Sequence, residues 1–360
     1  MNAKTILLTG ITGFIGRNLA RELQQHYQLT ALIRPKTAKQ RYEEFQNQVQ
    51  IVELDLADTN QLQNFLCHHH YDFIIHIGAL RGGRKFNQTE YIKVNVQSTK
   101  LFIDNALENQ AKFIFCSTVG VLGAIPHKLP ATIHSPYKHD NCYHSTKIKC
   151  EEMIMQNIAE KSLQACIIRP SITYGQDDFG FPYTLTKLVT KKWLFLPPRD
   201  IHIHLTNVST LVKVFSQLLE DKFVSGKIWI VADYEKINLS LLVNHIYRVM
   251  KVQNFSISTI SQDPSRTIPF TLPSIKYPSN RVLPLCFFHL LIKLAILLKL
   301  DLWVARLQLI SQSWYYDVHD TYQHFQIEPS TTIPAFNSVI QWYQELNDKR
   351  YRNPKMVSRN

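Results

Sequence analysis

Residues 4–23 read Lys4-Thr5-Ile6-Leu7-Leu8-Thr9-Gly10-Ile11-Thr12-Gly13-Phe14-Ile15-Gly16-Arg17-Asn18-Leu19-Ala20-Arg21-Glu22-Leu23, and this stretch decides the fold. The short apolar run at 4–8 predicts a buried strand. A glycine turn follows, and a helical pattern follows the turn. Strand, glycine turn, helix is the context that a dinucleotide fingerprint requires. Gly10 allows the tight turn, Gly13 lets backbone N–H groups approach a pyrophosphate, and Gly16 permits close packing of helix on strand. Thr12, Phe14 and Ile15 complete the turn expected to touch the ligand. The spacing is G-x-x-G-x-x-G rather than G-x-G-x-x-G.

Moving outward, a second apolar run at 29–33 ends at Arg34. An acidic residue there would bond the adenosine ribose of NAD, whereas Arg suits a 2′-phosphate. Lys36, Lys39 and Arg41 add positive charge, so NADP is favoured and NAD stays open. A third run at 49–54 leads to Asp55 and Leu56, placed to cap an adenine pocket. Apolar runs alternate with helical patterns to about residue 175, which predicts a doubly wound parallel α/β sheet.

Tyr143 and Lys147 stand one helical turn apart, on one face of a helix. A cation beside a phenol favours the phenolate, so such a Tyr can exchange a proton nearer neutral pH. That is the chemistry of a hydride-transfer site, where a hydroxyl loses its proton as carbon loses hydride.

Taken together, these segments resemble the extended short-chain dehydrogenase/reductase superfamily, also called the NAD-dependent epimerase/dehydratase family, over roughly residues 4–346. His76-Ile77-Gly78-Ala79 resembles its segment after the fourth strand, beside the cofactor. Tyr91-Ile92-Lys93-Val94-Asn95-Val96 resembles its Y-x-x-N-V helix, whose Asn supports the site. Phe113-Ile114-Phe115-Cys116-Ser117-Thr118 resembles the fifth strand, and Ile168-Arg169-Pro170-Ser171-Ile172-Thr173-Tyr174-Gly175 resembles the R-P-x-x-x-Y-G segment near the nicotinamide. The resemblance implies a Rossmann-type domain over 1–175 plus 201–233. A smaller mixed α/β substrate-binding lobe would take 176–200 plus 234–348; residues 349–360, by their charge and terminal position, read as a basic, disordered tail. It implies that Thr118 bonds the substrate oxygen, Tyr143 moves the proton, and Lys147 tunes Tyr143 and binds the nicotinamide ribose. Gly78, Ala79, Asn95, Arg169 and Pro170 would line the cofactor. Arg81 and Ser117 are candidate substrate contacts, Ser117 being alternatively a satisfied strand-end hydroxyl.

The chain also departs from the family pattern. Val119-Gly120 stand where dehydratases of this type carry an Asp-Glu pair after the catalytic Thr, so dehydration is disfavoured. Leu122 replaces the common Tyr before Gly123, and Asn207 stands where the family has Asp.

The 360 residues carry a formal charge of +12, concentrated near Arg34–Arg41, at Lys187, Lys191 and Lys192, and in the C-terminal tail. No nucleic-acid motif accompanies that charge. The six cysteines show no metal-ligand spacing, so no metal is expected. His68-His69-His70 reads as an exposed helix end rather than a metal site. A strand close to residue 1 leaves no room for a signal peptide, so a cytoplasmic location, with membrane association left open, is expected. Residues 282–300 are the most apolar stretch; Lys293 and Pro284 argue against a clean membrane span. A buried or pocket-lining helix and a peripheral membrane contact both stand, and both imply an apolar substrate. Residues 255–284, rich in Ser, Thr and Pro, read as a long loop over the cleft. The leading expectation is an NAD(P)-dependent oxidoreductase acting on a hydroxyl or ketone of a small molecule. Nucleotide-sugar epimerase is the alternative, a non-catalytic NADP-binding sensor or scaffold the third reading. A homodimer is a family expectation.

Overall fold

The computed structural model describes residues 3–82, 86–260, 276–298 and 300–352. Two units make up the chain: residues 1–171, 208–234 and 316–329 form the first, and 172–207, 235–315 and 330–360 the second.

The first unit is built on seven parallel strands. β1 (Thr5–Thr9), β2 (Gln28–Ile33), β3 (Val49–Glu53), β4 (Phe73–His76), β5 (Lys112–Cys116) and β6 (Ala165–Pro170) are joined by an edge strand Ile228–Val231. Their spatial order is edge strand, β6, β5, β4, β1, β2, β3. The strands are apolar on both faces because helices cover both faces: Ile6, Leu7, Leu8, Phe113, Ile114 and Phe115 are all fully buried. The order reverses between β1 and β4, which pair with Thr9 opposite His76. A crevice opens at such a switch point, beyond the carboxyl ends of the strands, and that is where a doubly wound sheet binds its ligand. The doubly wound expectation is met.

The second unit holds two short strand pairs, Ile172–Tyr174 with Leu205–Asn207 and His202–Ile203 with Ile237–Asn238. Its helices are Phe181–Thr190, Leu239–Ile260, Leu285–Leu297, Asp301–Ser311 and Thr332–Arg352. Its core is aromatic: Tyr183 packs against both Trp342 and Tyr343, and Tyr174 against Phe336.

The boundaries differ from the sequence expectation in three places. Residues 172–175 and 201–207 belong to the second unit, where 172–174 pair with 205–207 and 202–203 with 237–238. Residues 316–329 return to the first. There Asp317 N–H donates to the Ala131 carbonyl (2.8 Å), Thr321 Oγ1 to Ile230 (2.7 Å) and Tyr322 Oη to Ala232 (3.0 Å). The expected loop also begins later, since helix Leu239–Ile260 runs through 255–260; residues 261–275 lie outside the described residues. At the other end, helix Thr332–Arg352 extends into the expected tail, of which 353–360 lie outside the described residues.

Candidate active site

The glycine turn follows from its own crowding. Gly10 has φ +86°, and a Cβ on Gly16 would sit 2.1 Å from the Gly10 carbonyl oxygen, so helix Phe14–Leu23 can start this close to β1 only with glycine there. Gly13 is that helix's N-cap, without a capping side chain and with no acid in the first turn. The first-turn N–H groups and the helix dipole therefore favour an anion. Thr12 offers its carbonyl to Arg41 Nη2 (2.9 Å), which ties the basic loop after β2 to the glycine turn. Arg34 itself is exposed. Leu56 Cδ1 would lie 3.2 Å from a Cβ on Gly78, so these two residues do meet near the end of β1. Asp55 is turned to its own chain, Oδ1 accepting from Ala57 N–H (2.9 Å).

Beside that turn runs a buried hydrogen-bond chain. Thr9 Oγ1 accepts the N–H groups of Ile77 (3.1 Å) and Gly78 (2.9 Å), so its single proton goes to His76 Nδ1 (2.7 Å). His76 Nε2–H then donates to Thr99 Oγ1 (3.1 Å), which donates to the Asn95 carbonyl. The tautomer is thereby set and the ring is neutral. Burial, with the Lys147 charge added, holds His76 well below its ordinary pKa.

Asn95 lies in a π-helical turn, Ile92–Gln97. Its amide clamps Leu80, accepting from N–H at 2.8 Å and donating to the carbonyl at 3.1 Å, and also donates to Thr146 Oγ1 (3.0 Å). Asn95 therefore joins the segment after β4 to the helix carrying Tyr143 and Lys147. Its side chain is occupied by protein partners, so it positions the site.

That helix, Cys142–Lys161, begins where it does because Asn141 Oδ1 accepts the His144 N–H (2.9 Å). Lys147 is buried; its Nζ donates to the Cys116 carbonyl at 2.7 Å and lies 4.3 Å from the Phe115 ring centroid. Among the described residues no carboxylate lies within 4.0 Å of it. Burial pushes the ammonium pKa down, against the pull of Cys116, Cys150 and Glu151. Burial also pushes the Tyr143 phenol up to about 12, and the cation that draws it back is Arg81. Tyr91 Oη holds the Arg81 carbonyl at 3.0 Å.

Thr118 caps the 3-10 turn Val119–Leu122, its Oγ1 accepting from Gly120 N–H (3.1 Å) and keeping its own proton to donate. Ser117 Oγ is buried without a hydrogen-bond partner among the described residues, at a cost of about 1–3 kcal/mol.

Arg169 is placed differently from expectation. Its guanidinium forms a buried fork with Glu151 (2.6 Å for Nη2) and adds bonds to the Ile133 carbonyl (3.1 Å) and Tyr137 Oη (3.2 Å). The charge is used inside the protein, and the strand end it steadies is Pro170. His144 is the residue that motif reading passed over. It fills the space at Gly120, where a Cβ would come 2.3 Å from Nε2. Asn141 Nδ2 faces its Nδ1 (3.2 Å), and burial takes its pKa down to about 4. A glycine in place of the second residue of the acid pair was the available signal. Of the histidine run, His68 and His69 cap their own helix through Nδ1 to the carbonyls of Asn64 and Phe65.

A glycine turn at the switch point and a Tyr–Lys helix beside the fifth strand define a doubly wound dinucleotide-binding enzyme class. The model of the NAD dependent epimerase/dehydratase family matches residues 6–192, and the chain belongs to that family. It is 24% identical over 259 residues to UDP-glucose 4-epimerase of Vibrio cholerae, covering 68% of this chain and 75% of that one. It is 31% identical over 134 residues to 3beta-hydroxysteroid-dehydrogenase/decarboxylase isoform 2 of Arabidopsis thaliana, covering 36% of this chain and 23% of that one. Among solved structures, gox2253 superposes with a TM-score of 0.73 at 20% identity, over 96% of this chain and 99% of that one. UDP-glucuronic acid 4-epimerase from Bacillus cereus, in complex with NAD, gives 0.67 at 17%, over 95% and 99%. These likenesses show the fold.

Proposed function

We propose that the protein is an NAD(P)-dependent oxidoreductase that exchanges hydride with a carbinol or carbonyl carbon of a small substrate, with NADP preferred. The observation that carries this reading is the buried Lys147 ammonium, with no carboxylate within 4.0 Å among the described residues, one turn from Tyr143. A buried cation is costly unless a function keeps it.

The residues present fit the dinucleotide. The uncapped N-terminus at Gly13 would take the pyrophosphate, and Asp55, Leu56, Gly78 and Ala79 the adenosine half. Lys147 would take the nicotinamide ribose. Arg34 and the tethered Arg41 supply the charge that a 2′-phosphate needs. When bound, the dinucleotide supplies the hydride donor or acceptor. Thr118 donates its hydroxyl to the substrate oxygen, and Tyr143 takes or returns the proton at that oxygen. The unpartnered Ser117 hydroxyl offers a second donor. Val119-Gly120 provide no acid–base pair for eliminating water.

Similarity to UDP-glucose 4-epimerase supports a second reading, in which a sugar carbon would give hydride to the bound dinucleotide and take it back on its other face, with Tyr143 taking and returning the hydroxyl proton. Stoichiometry separates the two. With NADPH, NADH and a panel of ketones and alcohols, net oxidoreduction consumes or forms one nicotinamide per product. Isomerised nucleotide sugar with no net change in nicotinamide absorbance would replace the first reading by the second. Tight cofactor binding without turnover on any substrate would exclude both.

A further inference from the structure

Helix Leu285–Leu297 reads Leu-Cys-Phe-Phe-His-Leu-Leu-Ile-Lys-Leu-Ala-Ile-Leu. A helix apolar all round belongs in a protein core or in lipid. Phe288, Ile292 and Ala295, on one face at i, i+4 and i+7, are buried. Phe287, Leu290, Leu294 and Leu297 on the other side are 50%, 62%, 48% and 77% exposed. Ten of the fifteen exposed large hydrophobic side chains among the described residues lie between Val282 and Trp303. Scattered exposed leucines need no explanation, but a contiguous patch does.

Charge indicates what covers it. Residues 276–311 contain Lys276, Arg281, Lys293, Lys299 and Arg306 against the single acid Asp301. Leu196 N–H bonds the Arg281 carbonyl (3.0 Å) and the Leu196 carbonyl takes Leu283 N–H (3.0 Å), which brings the 187–199 run alongside. That run adds Lys187, Lys191, Lys192 and Arg199 with no acid. Within it Trp193 is 62% exposed, with Lys191 Nζ 4.7 Å from its ring; Trp303 is 55% exposed, with the Arg306 guanidinium at 5.8 Å. Tryptophans paired with cations beside an apolar face suit the headgroup level of an anionic bilayer. A second copy of the chain would set cation against cation. The helix is also too short to cross: thirteen residues give about 20 Å against roughly 30 Å of hydrocarbon. Among the described residues no helix is long and apolar enough to span a membrane.

We propose that helix Leu285–Leu297, flanked by Trp193 and Trp303, docks the protein on an anionic phospholipid surface. The helix lies in the plane of the interface, and Lys293 extends to the headgroups. This inference stands apart from the Tyr143 chemistry and survives if that reading fails.

The test is co-sedimentation of the full-length protein with vesicles of phosphatidylcholine, with and without phosphatidylserine. Binding is expected to the serine-containing vesicles and to fall roughly tenfold or more on phosphatidylcholine alone. The double variant Leu290→Gln/Leu294→Gln should lose binding to a similar extent, with an unchanged melting curve, because both side chains are exposed. Absence of sedimentation with either vesicle would overturn the proposal, as would full binding by the double variant. A dimer that the double variant dissociates, in a protein that ignores vesicles, would assign the face to a second copy and equally overturn it.

Discussion

Helices Cys142–Lys161 and Leu285–Leu297 break the inside–outside rule in opposite senses. The first buries Lys147 and Glu151, and the second exposes leucines at 290, 294 and 297. The two buried charges differ in kind. Glu151 is fully paired by Arg169 and Tyr137, so it holds structure together. Lys147, among the described residues, meets a carbonyl and a ring and no carboxylate within 4.0 Å. The exposed leucines depart from the rule by area instead of charge. Both departures cost stability when water alone meets them.

The largest test is chemical. Tyr143→Phe removes the proton carrier and leaves the ring, so turnover should fall by roughly 10²–10⁴-fold. Dinucleotide affinity, read by fluorescence titration, should change little. With the phenol held at about 12 in the free protein, alcohol oxidation should climb with pH, because it needs the deprotonated form. Carbonyl reduction should fall over the same range. Equal turnover in the Phe variant would remove Tyr143 from the mechanism and leave Lys147 as a structural oddity.

Next comes the paired charge. Glu151→Ala strands Arg169 in the core, and denaturant unfolding should show a loss of about 3–5 kcal/mol. A loss below about 1 kcal/mol would mean that Arg169 finds solvent, and the contrast with Lys147 would disappear.

Residues 4–23 announced β1 and its glycine turn because a strand, a tight turn and a helix all act within a few residues of one another. The Tyr–Lys pair and the strand end at Thr118 were legible for the same reason. What lay hidden depends on partners far apart in the chain. Nothing near His76 says that Thr9, 67 residues away, fixes its tautomer, or that Asn95 spends its amide on Leu80 and Thr146. Arg169 followed the motif into the right strand, yet Glu151 claimed its charge, since a buried guanidinium goes to a carboxylate within reach. The return of 316–329 to the first unit rests on hydrogen bonds to Ala131, Ile230 and Ala232 that carry no periodicity.

A smaller effect follows from His76 and His144, two imidazoles whose pKa values burial lowers. Their folded pKa values lie below the ordinary 6.5, to about 4 for His144, so the fold favours the neutral ring. That contribution is fully present above pH 6.5 and is lost as pH falls toward 4. For His144 it is on the order of 2 kcal/mol after allowing for its partial exposure. Chemical denaturation from pH 7 to pH 4 should show the loss, and His144→Gln should flatten the curve. An unchanged slope in that variant would place the acid sensitivity at His76.

The smallest effects belong to the exposed helix, where they sharpen the contrast most. Ile292 faces inward, so Ile292→Val should cost about 0.5–1.5 kcal/mol for the lost methylene and the space it leaves. Leu290 lies two residues earlier and is 62% exposed, so Leu290→Gln should stay within about 0.5 kcal/mol of the parent in vesicle-free buffer. The pair is informative because both side chains are branched aliphatics on one helix, separated by burial alone. A loss near that of Ile292→Val at position 290 would mean that the leucine is covered within the protein. In that event the apolar face would be part of a core and would have no call on lipid.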